Sequence, residues 1–335
     1  MKAVMYHYVR PDASDAPWYY HLDIDDFRAQ LDYFEDEYGL VDREAFLAAA
    51  RGDASPPEGV VLTFDDGLRD HYDYVFPELK RRGLWGIFYI PTIPYTKERP
   101  LNVHRVHALV GKYGGDAVLD PLLDMVDEEM VPDARRQEFR TTYQNQDNTE
   151  SVTTVKRILN YFIAYEYRED VLNTLSEQFP AADIDPEKFY LRPEEFRQMQ
   201  DAGMIIGSHS VSHRVFSKLS QSAQREEIIS SFDYLSTILD GLDIRTFCYP
   251  YGGFHTFTDY TRTVLDSVDS LFTFNVESRD IQSDDFRTQP QALPRYDCNE
   301  FRYGDASGVV DKVSDALNSH TQLPAPDFSL NQIYE

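Results

Sequence analysis

VVLTFDDG, Val60–Gly67, is the stretch that decides the fold. Five residues in unbroken succession are apolar or β-branched, with no polar alternation. Such a run reads as a strand covered on both faces, which is how strands in parallel sheets are buried. Asp65 and Asp66 then stand at the strand's C-terminal end, where α/β proteins place their chemistry. Adjacent carboxylates repel, so they stay ionised together only beside a cation or strong hydrogen-bond donors. The competing reading is a plain Asp-Asp-Gly turn whose Asp caps the next helix.

Runs of the same kind recur at Ala3–His7, Gly86–Ile90, Met204–Ser208, Thr246–Tyr249, Ser270–Phe274 and Gln291–Leu293. Amphipathic patterns lie between them. Asp25 reads as the N-cap of a helix that carries Phe27, Leu31, Phe34 and Tyr38 and stops at Gly39. Further helices are expected at Arg43–Arg51, Asp73–Arg82, Glu194–Ala202, Ala223–Leu239 and Asp259–Ser267. Strand and helix in alternation mean an α/β protein, and seven strands spread over the chain favour a distorted (β/α) barrel of about seven parallel strands over an open sheet. From Tyr95 to Tyr190 only helical patterns occur, at Val103–Lys112, Ala134–Thr141 and Val152–Phe179, with TTYQNQDNTESV as a loop. The expected organisation is one discontinuous barrel domain, 1–95 and 191–335, and a helical insertion, 96–190, that shapes the substrate site. The stretch SHTQLPAPDFSLNQIYE reads as a surface tail.

The 335 residues are 42% hydrophobic and 14% aromatic, enough for a large core. Thirty-two basic residues against 58 acidic ones leave a net charge of −26. That balance disfavours nucleic acid and anionic membrane surfaces as partners. Cys248 and Cys298 make no disulfide framework and no CxxC metal pair. With no signal-peptide core and no run long enough to span a membrane, a cytoplasmic protein is expected. Oligomeric state is left open.

Two more motifs follow apolar runs. Gly207–His213 reads GSHSVSH, and its two histidines, four apart, can converge on one ion. A zinc-protease reading fails, because the position after the first His is Ser210. With Asp66 the pair makes a three-ligand site with open positions, suited to Zn2+ or another divalent metal. Phe247–Gly253, FCYPYGG, bends the chain through Pro and Gly and can present an N–H to an oxyanion.

TFDDG, HSVSH and YPYG, in that order, resemble the polysaccharide deacetylase family, the NodB-type carbohydrate esterases. The resemblance covers Lys2–Pro94 and Leu191–Arg295. It implies a distorted barrel, Asp65 as general base, Asp66, His209 and His213 as metal ligands, and the backbone N–H of Tyr251 at the oxyanion. It also implies hydrolytic removal of an N-acetyl group from an acetylated amino sugar, a glycan precursor or a nucleotide sugar. Two departures stand out. Cys248 occupies a place where simple members carry Arg, and the family's Leu-x-His is missing, His320 being a poor match. Arg295, closing the last strand, is the candidate guanidinium beside Asp65. His7, in Met5-Tyr6-His7-Tyr8, is similar to the element of the subgroup whose motif order is circularly permuted, and is the candidate general acid ahead of His255 and His320.

The alternatives carried forward are an O-acetyl ester or cyclic amide hydrolase on the same metal site, and a catalytically weak glycan-binding protein. An iron oxygenase is set aside, because Asp66 lies far before His209 instead of close after it. Within the insertion, His104 and His107 read as a polar helix face, and Asn102 and Arg105 as groups within reach of a sugar or phosphate. Trp18, Tyr19, Tyr20 and Trp85 are aromatic candidates for stacking on a pyranose, Trp85 reading rather as core.

Overall fold

The structure is a computed structural model that describes residues 1–11, 19–132 and 148–306. Val60–Phe64 forms a strand with all five residues buried, as its unbroken pattern requires. With Val60–Phe64 as β4, the other strands of its sheet are β1 (Lys2–Tyr6), β5 (Ile87–Ile90), β6 (Ile205–Ser208), β7 (Thr246–Cys248), β8 (Phe272–Phe274) and β9 (Tyr296–Asp297). All seven run parallel, in the spatial order β8-β7-β6-β5-β4-β1-β9. The seven-strand parallel expectation therefore holds.

The sheet curls until its ends meet. Leu293 forms a parallel bridge with Phe274, its N–H donating to the Thr273 carbonyl at 2.8 Å while the Leu293 carbonyl accepts from the Asn275 N–H at 2.8 Å. Three residues later β9 pairs with β1, Val4 facing Tyr296 and Met5 facing Asp297. Residues 293–297 thus touch β8 on one side and β1 on the other, and a distorted (β/α) barrel results. The strand expected at Gln291–Leu293 is accordingly corrected. Pro290–Ala292 is a 3-10 turn, and the strand begins only at Tyr296.

Alternate strand residues fall into separate clusters, the period-two signature of a sheet with two covered faces. Ala3, Val61, Ile87, Tyr89, Ile205, Cys248, Phe272 and Phe274 share one cluster. Val4, Tyr6, Leu62, Phe64, Phe88, Ile90 and Ile206 share the other, with side chains of the surrounding helices. These are α1 (Ile24–Glu37), α3 (Phe76–Arg82), α4 (Pro193–Asp201) and α5 (Gln221–Ile238). Each fully buried Phe or Leu here contributes roughly 1.5–3 kcal/mol. Helix α2 (Arg43–Ala50) joins the first cluster. Its Phe46 meets Phe272 at 5.1 Å and Trp85 at 5.5 Å, where strands begin, and so plugs that end.

Local chemistry sets the element boundaries. The cap of α1 is Asp23, two residues before the expected Asp25, and its Oδ1 accepts from the Asp25 N–H at 2.8 Å. The choice among the Asp residues is made by tertiary pairing. β2 (Val9–Arg10) and β3 (Leu22–Asp23) form a small parallel ribbon that holds Asp23 extended. α6 (Asp259–Ser267) matches its expected span and is capped by Thr258. Between β4 and α3 lies a π-helical turn, His71–Val75.

The chain divides into two compact units, one of Met1–Pro11, His21–Leu101 and Asp185–Ala306, the other containing Asn102–Ile184. The described part of Asn102–Ile184 is helical, with helices Asn102–Tyr113, Gly115–Leu123, Glu150–Arg157 and Tyr165–Gln178. A Cβ at Gly115 would lie 2.4 Å from the Val152 nitrogen, so only glycine permits that approach. The single helix expected over Val152–Phe179 is interrupted. A π-turn, Ile158–Phe162, gives way to extended Ile163, and Ala164 donates its N–H to the Met130 carbonyl at 2.8 Å. The helix expected at Ala134–Thr141, most of the TTYQNQDNTESV stretch and the C-terminal tail lie outside the described residues. Among the described residues no helix is long and apolar enough to cross a membrane.

Candidate active site

β4 ends at Phe64, and the chain turns through Asp65-Asp66-Gly67. Asp65 still follows the strand's alternation, its N–H donating to the Tyr6 carbonyl at 2.9 Å, so its side chain lies on the same face as Thr63. There it meets Arg295. Nη1 donates to Oδ1 at 2.8 Å and Nη2 to Oδ2 at 2.6 Å, a two-pronged pair. Both residues are almost wholly buried. The same guanidinium donates to Thr63 Oγ1 at 3.1 Å and to Cys248 Sγ at 3.0 Å. Burial alone would push the Asp65 carboxyl up, but Arg295 outweighs it and holds the group at about 2. Burial also pushes the Cys248 thiol well up, so it is neutral and donates toward Asp65 Oδ2 at 3.6 Å. The guanidinium sought from the sequence in place of Cys248 is therefore beside Asp65, with the small thiol leaving room for it.

Asp66 has a left-handed backbone, φ 77. Its Oδ1 lies 3.5 Å from His209 Nε2 and 3.4 Å from His213 Nε2. His209 Nδ1 is 2.8 Å from the Cys248 carbonyl. A carbonyl only accepts, so Nδ1 carries the proton, and burial lowers the tendency of this ring to take a second one. The neutral ring then turns an Nε2 lone pair toward a carboxylate oxygen. Two lone pairs at that separation repel unless a cation draws both, which is the donor chemistry a divalent metal fits. One ligand atom from each of Asp66, His209 and His213 lies within 4.8 Å of the others. Asp65, His209 and Cys248 also bring one ligand atom each within 4.8 Å of the others, but they make a poor cage. Both Asp65 oxygens are committed to Arg295, and the thiol is held protonated.

The histidine loop is strained. Ser210 and His213 are left-handed, φ 67 and φ 54, conformations that cost non-glycine residues of order 1–3 kcal/mol. It is tied down by His209 N–H to the Ile90 carbonyl at 3.0 Å and by His213 N–H to Ser210 Oγ at 3.0 Å. The Pro250 turn brings Tyr251, also left-handed at φ 65, with its ring 4.8 Å from that of His213. Gly252 follows because a Cβ there would fall 2.1 Å from Val276 Cγ2.

His7 follows β1. Its Nε2 is 3.9 Å from Asp65 Oδ2, beyond hydrogen bonding, and its side chain is 39% exposed. Its carbonyl accepts from His71 Nε2 at 2.8 Å, a contact the sequence gives no sign of. His71 is fully buried, its ring 5.6 Å from that of Phe64 and 5.8 Å from that of Phe88. Burial lowers it to about 4, so it is neutral.

The remaining candidates lie elsewhere. His255 is exposed on the turn after Gly253, and His320 and Trp18 lie outside the described residues. Trp85 donates its indole N–H to the Val41 carbonyl at 2.7 Å, as core residues do, and Tyr19 is buried. In the helical unit, Asn102 donates to Glu169 at 3.1 Å and Arg105 pairs with it at 3.0 Å, which corrects the expectation that they reach toward a sugar or phosphate. His104 is buried, and neither it nor His107 enters a three-ligand group among the described residues.

A family model described as polysaccharide deacetylase matches residues 141–271, the stretch that holds His209, His213 and Tyr251. The chain is similar in fold to the deacetylase PplD of Streptococcus pyogenes, solved in complex with acetate, at 16% identity over 89% of this chain and 91% of that one, TM-score 0.54. It is similar likewise to IcaB from Ammonifex degensii, at 17% identity over 88% and 90% of the two chains, TM-score 0.50. A polysaccharide deacetylase from Bacillus cereus, BC0361, matches at 14% identity over 95% of this chain and 68% of that one, TM-score 0.50. At such identities the likeness is one of fold. No curated protein matches the sequence. The family-model match covers two of the three motifs, HSVSH and YPYG, while TFDDG lies outside it, and the architecture agrees with the resemblance.

Proposed function

On a chain that resembles the polysaccharide deacetylases in sequence and in fold, we propose a metal-dependent hydrolase that removes the acetyl group from an N-acetylated amino sugar. The observation that carries this reading is the adjacency of two carboxylates in opposite states of engagement. Asp65 is locked to Arg295, while Asp66 faces two imidazole nitrogens. Asp66, His209 and His213 are the residues that would hold a divalent cation, Zn2+ by the imidazole-rich donor set. When bound, the cation would supply Lewis acidity, polarising an acyl carbonyl and acidifying water.

The chain's own groups do the rest. Asp65, kept ionised and aimed by Arg295, takes the proton of the attacking water. The Tyr251 N–H donates to the oxyanion that develops. His7, on the exposed side of Asp65, delivers a proton to the leaving nitrogen, and acetate and the free amine depart. A cytoplasmic location, and with it a precursor glycan or nucleotide sugar as substrate, belongs to the same proposal.

The test is acetate release from N-acetylated amino sugars, their oligomers and nucleotide conjugates, and from O-acetyl esters. Wild type is expected to release acetate from an acetamide, to lose activity on chelation and to regain it with Zn2+. Asp65→Asn is expected to be inactive while still binding metal, and His7→Ala to lose turnover with the metal site intact. Acetate from esters alone would move the reading to the O-acetyl hydrolase. A wild type that binds no metal and releases no acetate would leave a glycan-binding protein.

A further inference from the structure

Two of the five residues of His209–His213 are left-handed, so this loop needs an external hold. Helix α5 provides it. Glu227 is buried, 8% exposed, and its Oε2 accepts two consecutive backbone N–H groups, from Val211 at 2.9 Å and Ser212 at 2.8 Å. Its Oε1 accepts the Ser212 hydroxyl. Consecutive N–H groups turned to one point make a small anion-binding concavity, and here the anion is a side chain from the next helix. Four residues on, and so on the same helix face, Ser231 holds the loop's other end. Ser231 Oγ donates to the Ile228 carbonyl at 2.8 Å, leaving it to accept from Ser208 Oγ at 2.6 Å, which accepts in turn from the Ser210 N–H at 3.2 Å.

We infer that Glu227 is the positioning residue of the metal site, the group that fixes the His209–His213 loop in the one conformation where both Nε2 atoms face Asp66. It touches no ligand atom of the site, and it acts through the backbone between the two histidines. A neutral substitute loses the strength of a charge-assisted acceptor, and a truncated one leaves two partly buried N–H groups without their carboxylate. This inference rests on the metal reading given under Proposed function.

The experiment is Zn2+ affinity, measured by competition with a chromogenic chelator, for wild type, Glu227→Gln, Glu227→Ala and the exposed neighbour Glu226→Gln, with thermal melting of each metal-free protein alongside. Loss of supporting hydrogen bonds around metal ligands costs about 10–100-fold in affinity. Glu227→Ala is expected in that range, Glu227→Gln at a smaller loss, and Glu226→Gln at wild-type affinity. Should Glu227→Ala fold poorly, the Gln variant carries the comparison. Lowered melting temperatures with unchanged Zn2+ affinity in both Glu227 variants would make the residue merely structural and overturn the inference. An equal loss in Glu226→Gln would also overturn it, since the effect would then be one of net charge. A wild type that binds no Zn2+ removes the metal reading and this inference with it.

Discussion

Asp65 and Asp66 are neighbours in sequence and opposites in environment. The division comes from one backbone angle. Asp65 keeps the strand's alternation and enters the barrel toward Arg295, whereas Asp66, at φ 77, leaves it and meets the histidines. The motif made the pair visible in the sequence, and the gap at Cys248 pointed to a guanidinium from elsewhere. The support of His7 by His71 and of the histidine loop by Glu227 was illegible, because both are contacts between segments with no pattern of their own. Burying a carboxylate and a guanidinium together is tolerable only while both are present. Arg295→Met is therefore expected to destabilise the protein by about 3–5 kcal/mol in urea unfolding, with most of the loss recovered when Asp65→Asn is added. A single variant as stable as wild type would contradict the pairing.

At the scale of elements, the apolar runs of β4 and the regular period of α6 were readable because burial of both faces, or of one stripe, leaves an imprint every second or every third to fourth residue. The end of the barrel was not, since Tyr296–Asp297 is short and half-polar and depends on pairing with β1. The π-turn at His71–Val75 left no trace either. At its start stand two buried groups, Asp70 just before the turn and His71 as its first residue, whose protonation responds oppositely to folding. Burial raises Asp70 from 3.8 to about 6, despite the Arg10 guanidinium 2.7 Å away. Burial lowers His71 from 6.5 to about 4. As pH falls from about 6.5 to about 4, the unfolded chain protonates at His71 before the folded one, and stability is lost. As pH falls from about 6 to about 3.8, the folded protein protonates at Asp70 first, and stability is gained. The two contributions, each of about 3 kcal/mol at most, largely cancel. Asp70→Asn is expected to make the melting temperature fall more steeply on acidification across this window than in wild type, and His71→Asn to make it fall less or rise. Identical pH profiles in wild type and both variants would show that neither group is perturbed by folding.

The whole molecule carries −26, an excess that opposes compaction through self-repulsion. Added monovalent salt screens it, the Debye length falling from about 10 Å at 0.1 M to about 3 Å at 1 M. The melting temperature is expected to rise over that range in scanning calorimetry, and a flat or falling trend would mean that specific ion pairs outweigh the general repulsion. The alternation of strand and helix was enough to give the barrel, whereas the break in the helix expected after Val152 was hidden, because it depends on the Met130 carbonyl reaching Ala164. The closing segment has a consequence for how the protein is made. Residues 293–297 complete the ring between β8 and β1, and Arg295 travels with them. During synthesis on the ribosome, Asp65 emerges early and the only guanidinium that pairs with it among the described residues emerges more than two hundred residues later. Until that last piece docks, the interior has a carboxylate that must stay wet. The buried Asp65–Arg295 pair and the finished ring are therefore born in the same event, and a nascent chain released short of Arg295 would carry Asp66, His209 and His213 yet have no dry barrel to hold them.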